Sequence, residues 1–304
     1  MMMKKRIPFI LVAVSVLVLA VIIISVCLYP QKPKAAEPKV ANKYSTYTDG
    51  HSLTKDYTEE DYENATQLIK AIETRNIILI DSLLRSGMEV NCPGDVLPYE
   101  SLETPLNVAL DLGCNKVAYK LLKSGATAKY VIDTESPLCR VASSYEKGDL
   151  EMTEFLLTNG SDPNEYWFPP IVIVAGMEIP KNRKRKEASK EVLAMFKRLE
   201  AAGANINAKR WDERGTLICA VWADNLPLVK YLVEEKKIDI NQRDWKNETA
   251  LMAAACVGNP DIVKCLVKHG ANKEIFRNDN GESALDLAIK YSNNQEVIDL
   301  LSEQ

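Results

Sequence analysis

The sequence predicts an all-α solenoid of about seven helix-turn-helix repeats with β-hairpin-like fingers, placed after one N-terminal transmembrane helix. Three observations predict it. An uncharged apolar run occupies positions 7 to 29, pairs of glycines recur at a constant short spacing around amphipathic segments, and a helix-start motif returns at the period of a repeat array.

The N-terminal run, IPFILVAVSVLVLAVIIISVCLY, reaches ~34 Å as a helix, enough to cross a hydrocarbon core. Lys4, Lys5 and Arg6 form a basic start over residues 1–6, and the positive-inside bias keeps them in the cytoplasm. Residues 7–29 then read as a signal-anchor, with everything after them exported. Lys32, Lys34 and Lys39 on the far side weaken that asymmetry. A cleaved signal is the alternative, but the run exceeds the ~7–15 residues of an ordinary signal core. Ile24-Ser25-Val26-Cys27 loosely resembles a lipobox that would acylate Cys27, although Val26 stands where a small residue is usual. Residues 30–60 contain Pro30, Pro33, Pro38 and scattered Lys and read as a spacer.

Residues 61–304 read as the repeat domain. Gly113/Gly125, Gly148/Gly160 and Gly258/Gly270 are each twelve apart. Val117, Leu121 and Leu122, then Leu150, Leu156 and Leu157, then Ile262, Val263 and Leu266 supply the intervening apolar faces at helical spacing. The closing glycines suit left-handed C-caps. Upstream, Thr104-Pro105-Leu106-Asn107-Val108-Ala109 opens another helix, with Thr as cap and Pro in the first turn. Related starts fall at Thr66, Ser136, Pro169, Gly215, Thr249 and Ser283, giving intervals of 38, 32, 33, 46, 34 and 34. Leu106, Leu138, Leu251 and Leu285 share one expected core position.

These residues resemble the ankyrin repeat, whose signature T-P-L-H-x-A and period of ~33 they approach. The repeat endings agree: Ser-Gly-Met-Glu-Val-Asn at 86–91, Ser-Gly-Ala at 124–126, Gly-Ala-Asn-Ile-Asn at 203–207 and Gly-Ala-Asn at 270–272. The histidine position departs from the pattern, holding Ile69, Asn107, Cys139, Val172, Ile218, Met252 and Asp286. The turn-to-turn hydrogen bonds which that histidine makes in the family are not offered by these residues, so apolar packing is expected to do more of the stacking. The first of the two stretched intervals carries a long finger with Pro93, Gly94 and Pro98, and the second carries a basic run, Lys181 to Lys186, read as a solvated loop.

Composition removes several function classes. Lys and Arg total 38 against 42 Asp and Glu, so no global positive field is present to hold nucleic acid. No two of the 13 glycines stand two, four or five residues apart, which excludes the dinucleotide, nucleophile-elbow and P-loop signatures. Two histidines, His51 and His269, make a multi-histidine metal site unavailable, and the seven cysteines contain no C-x-x-C spacing. Cys92, Cys114, Cys139, Cys219, Cys256 and Cys265 fall mostly at helix positions suited to free buried thiols. Cys265 and His269 are four apart on one helix, without an oriented third group in the sequence. No catalytic residue, metal site or cofactor is expected.

The aromatic residues mark the candidate contact surface for another protein. Trp167 lies between Tyr166 and Phe168 in one finger, and Trp211 and Trp245 hold equivalent finger positions of successive repeats. By the family resemblance Trp222 falls on the inner helix at a concave-facing position, and Tyr291 lies one residue beyond its equivalent in the last repeat. Asp212, Glu213, Arg214, Asp244 and Lys246 are expected to form a polar rim around one apolar strip of Trp211, Trp245 and Trp222.

The resemblance implies a non-catalytic protein-binding module of bacterial type, held at the cytoplasmic membrane with its repeat domain periplasmic or extracytoplasmic. The partner would be a secreted toxin, making this an immunity protein against, for example, a lipase, or an envelope enzyme served by a scaffold or chaperone. A hydrolase hidden in the long insertions is the remaining reading.

Overall fold

A computed structural model describes residues 57–96, 101–129, 136–143, 149–165, 169–179, 184–277 and 281–303. The basic start, the apolar run, nearly all of the spacer, and Tyr166, Trp167 and Phe168 lie outside the described residues. Among the described residues no helix is long and apolar enough to cross a membrane.

Among the described residues seven helix pairs follow one another. They are α1 (Glu59–Glu73) with α2 (Ile77–Arg85), α3 (Pro105–Asp111) with α4 (Asn115–Lys123), α5 (Pro137–Ala142) with α6 (Asp149–Thr158), and α7 (Pro170–Ala175) with α8 (Arg185–Ala201). The fifth pair is α9 (Thr216–Trp222) with α10 (Leu226–Lys230), which continues through a π-helical turn at Tyr231–Glu235. The sixth is α11 (Ala250–Val257) with α12 (Pro260–Lys268). The last is α13 (Ala284–Leu287), extended by a π-helical turn at Ala288–Ser292, with α14 (Gln295–Ser302). Strands β1 (Gly94–Val96) and β2 (Ser101–Glu103) form an antiparallel hairpin between the first two pairs.

Local chemistry starts and stops the helices where the motif places them. Thr104, Ser136, Thr249 and Ser283 are N-caps whose hydroxyls accept from the backbone N–H of Asn107, Cys139, Met252 and Asp286. Proline fills the first turn of α3, α5, α7 and α12, where no N–H is needed. Gly125, Gly160 and Gly270 close their pairs with φ of 99°, 95° and 90°. Lys237 does the same work after the fifth pair at φ 52°, a left-handed conformation that most side chains resist.

The expected start at Thr66 is corrected. That residue lies inside α1, which begins at Glu59 behind a capping box in which Thr58 and Asp61 satisfy each other's backbone N–H groups. The register nonetheless holds, because Leu68 and Ile69 are buried as the motif requires. The long finger folds as β1–β2 and lies on α1 so closely that a Cβ on Gly94 would sit 2.6 Å from the Thr66 nitrogen. Glycine is needed there for the approach.

The first helices of the pairs form one continuous row, each packed on the next, and α6, α8, α10, α12 and α14 do the same on the other side. A single apolar core runs through them. Polar side chains stitch the turns across repeats. Asn91 donates to Gly125 O at 3.1 Å and accepts from Thr127 N at 2.6 Å. Asn164 repeats this with Gly203 O and Asn205 N at 2.9 and 2.7 Å, and Asn241 with Gly270 O and Asn272 N at 3.3 and 2.8 Å. These amides supply turn-to-turn bonds that the motif, lacking histidine at its fourth position, left unassigned. Of the basic run, Arg185 is not simply solvated: it pairs with Asp224 at 2.6 Å in the next repeat.

Leu106, Leu138 and Leu251 are buried, whereas Leu285, in the last described pair, is half-buried. Leu251→Ala should therefore cost about 2–5 kcal/mol in denaturant titration, and Leu285→Ala distinctly less. A loss below about 0.5 kcal/mol at Leu251 would contradict the stacking described here.

Candidate partner-binding fingers

Two successive fingers carry the tryptophans. In the first, Arg210 N donates to Arg214 O at 3.0 Å and Glu213 N to Arg210 O at 2.9 Å. In the second, Asp244 N donates to Glu248 O and Asn247 N to Asp244 O, both at 3.0 Å. Each is a tight turn followed by a left-handed residue, Glu213 at φ 60° and Asn247 at φ 62°, the geometry of a three-residue hairpin loop. Trp211 and Trp245 occupy the first corner of these turns, where a side chain points away from the loop's own hydrogen bonds. They are 59% and 58% exposed. The fingers touch through Trp245 N, which donates to Asp212 O at 3.4 Å.

The expected polar rim is corrected in part. Asp212 and Asp244 are only 5% and 6% exposed, so they tie the fingers together instead of facing a partner. Asp244 accepts from the backbone N–H of Lys246 and Glu248 at 2.9 and 2.8 Å. Asp212 accepts from Arg214 N at 3.3 Å and pairs with Arg210 at 3.5 Å. Arg214 Nε lies 3.3 Å from Asp244 and 3.8 Å from Asp212, bridging one finger to the next. Carboxylates take these places because they accept several N–H groups and a guanidinium at once. Lys246 lays its ammonium over the Trp245 ring, 4.9 Å from the centroid.

Trp222, at the end of α9, is 41% exposed, and its Nε1 donates to Glu248 Oε1 at 2.9 Å. The bond places Trp222 against the base of the second finger. Burial raises the Glu248 carboxyl above its ordinary range, opposed by the Trp222 bond and the charge of Arg214. Sequence reasoning missed Glu248. The signal was its position, since Arg214, Glu248 and Glu282 each stand immediately before the helix start of three successive repeats. Tyr291 is exposed in the last repeat beneath Lys290, which pairs with Glu282 at 2.7 Å. The structure thus brings Trp211, Arg214, Trp222, Trp245 and Lys246 together at two adjacent repeats and sets Tyr291 apart on the last one.

The six cysteines Cys92, Cys114, Cys139, Cys219, Cys256 and Cys265 are free thiols. Burial raises Cys219 and Cys256 to about 11, which keeps both protonated at neutral pH.

Stacked helix pairs joined by projecting hairpin fingers define a repeat solenoid of the protein-binding class. Residues 217–304 match the family model for ankyrin repeats (3 copies). The crystal structure of the human ASB11 ankyrin repeat domain is similar in fold, with a TM-score of 0.60 and 22% identity over 78% of this chain and 98% of that one. No curated protein matches the sequence. Residues 217–304 thus carry ankyrin repeats, and the described residues share the ankyrin-repeat fold.

Glu248 generates a pH prediction. Its folded-state pKa lies above the ordinary 4.5, so above pH 4.5 the folded protein retains a proton that the unfolded chain has released. Stability contributed by this group falls as pH rises from 4.5 through the raised value. Glu248→Gln keeps the acceptor for Trp222 and removes the titration. Relative to the parent protein, the variant should gain stability as denaturant titrations move from about pH 4 to about pH 7. Parallel stability profiles for the two proteins would contradict the assignment.

Proposed function

We propose that the chain is a non-catalytic binding module, displayed on the outer side of the cytoplasmic membrane by residues 7–29, which captures another protein on the Trp211, Trp222 and Trp245 surface. One observation carries the reading: two large aromatic rings stand more than half exposed at successive finger tips, where the fold gains little from them. Arg214 and Lys246 lie beside the rings and supply the charged edge of such a contact. The charge balance past residue 30, with 35 basic and 42 acidic residues, gives no support to a nucleic-acid partner. Within this reading the partner is a toxin acting outside the cytoplasm, such as a lipase, and the protein is its immunity factor. A neutraliser of such an enzyme must be held where the enzyme acts, and the apolar run following Lys4, Lys5 and Arg6 supplies that placement.

Capture of envelope and secreted proteins on the purified protein, followed by mass spectrometry, should return a secreted toxin. A housekeeping envelope enzyme would instead make the module a scaffold. With the captured partner, Trp211→Ala and Trp245→Ala should each weaken binding by at least ~2 kcal/mol, roughly thirtyfold, while the denaturation midpoint barely moves. Loss of stability with unchanged affinity per folded molecule would place the rings in finger packing and reject the site.

Topology has its own test. A reporter active only outside the cytoplasm, fused after Gln304, should be active, and activity of a cytoplasm-only reporter at the same position would reject the display.

A further inference from the structure

Glu234, Cys265 and His269 converge on the side of the array that carries the second helices. Cys265 and His269 are four apart along α12 and its C-terminal cap, so they share one face. Glu234 reaches them from the π-helical turn Tyr231–Glu235 in the preceding repeat. The thiol sulfur, an imidazole nitrogen and a carboxylate oxygen all lie within 4.8 Å of one another. His269 Nδ1 lies 2.7 Å from Cys265 O. A carbonyl can only accept, so Nδ1 carries the proton and Nε2 keeps its lone pair, the arrangement by which a backbone carbonyl orients a ligating histidine. Glu234 and His269 also border a cleft of ≈ 650 Å³.

We propose that Glu234, Cys265 and His269 form a three-ligand site for a zinc-class divalent cation, open to solvent at its fourth position. One sulfur, one nitrogen and one oxygen is a ligand set that zinc accepts with tetrahedral geometry. Calcium and magnesium are disfavoured, because they require several oxygen ligands and the set offers a single carboxylate. Lys237 and Lys268 line the same cleft and oppose a cation held by charge alone, so selection falls on a metal that bonds to sulfur and nitrogen. On binding, the Cys265 S–H bond breaks, its proton passes to solvent, and the thiolate bonds to the metal. The metal would clamp the fifth repeat to the sixth, directly behind the pair that carries the tryptophan fingers.

Cobalt(II) titration of the full chain, purified in detergent with its thiols reduced, tests the site, since thiolate ligation gives a near-ultraviolet charge-transfer band and tetrahedral geometry an intense visible spectrum. Saturable binding with that band, reversed by zinc, is expected. Cys265→Ser should abolish the band, His269→Ala should weaken cobalt binding about 100-fold, and Glu234→Gln about tenfold. Cys256→Ser, which alters a half-buried thiol outside the site, should change neither band nor affinity. Glu234 and His269 are exposed, so their variants report on the site even if Cys265→Ser perturbs folding. Equal affinity in His269→Ala and the parent protein, a charge-transfer band that survives Cys265→Ser, or no saturable cobalt binding would overturn the proposal.

Discussion

No helix pair in this chain can bury its own apolar surface, and the rest of the architecture follows from that constraint. Apart from α1, the first helices of the pairs are short, and helices of this length are marginal alone. In α11, Ala250 through Ala255 are all buried, so the helix is apolar on every side and needs a neighbour on each. Small residues at these positions let adjacent helices approach closely, while Leu251 and Met252 fill the space between them.

Stacking by apolar contact alone leaves the polar backbone of each turn to be satisfied, and asparagine does that here. The amide of Asn91, Asn164 or Asn241 offers a donor to the glycine carbonyl ahead and an acceptor to the N–H two residues beyond it. One side chain thus fixes both spacing and rotation between repeats, a job an apolar residue cannot do. The absence of histidine from the helix-start motif is tolerable because the bonds have moved to the opposite end of the repeat.

The parts of this design that sequence showed are those governed by local chemistry. Caps at Thr104, Ser136 and Thr249, proline in the first turn and glycine at the close are short-range rules, and the helices obey them. Reading failed at one local signal and otherwise where a longer-range term decided. Thr66 matched the motif position, but the capping box of Thr58 and Asp61 starts the helix earlier. Lys237 takes a conformation that glycine takes in the other repeats, so the fifth ending carried no punctuation. Asp212 was expected in a solvated rim, yet it is buried, because Arg214 and the neighbouring finger supply partners that linear sequence does not display. Trp222 was placed on the right helix, while its carboxylate partner Glu248 went unnoticed. Only the stacking of one repeat on the next brings those two together.

In a solenoid, residues about one repeat apart are spatial neighbours, and this separates two kinds of surface. Glu248 belongs with Trp222, Asp244 with Arg214, and Cys265 with Glu234, in each case across a repeat boundary. The first two of these pairs also tie one repeat to the next. The finger tips are under no such demand: the turns close through backbone bonds and left-handed residues, and any polar residue would satisfy the corner where Trp211 and Trp245 stand. Tryptophan at two consecutive tips exposes apolar surface to water without a compensating gain in packing. Under the proposed function that cost is offset when a partner covers both rings, and the two buried aspartates beneath them hold the tips in place.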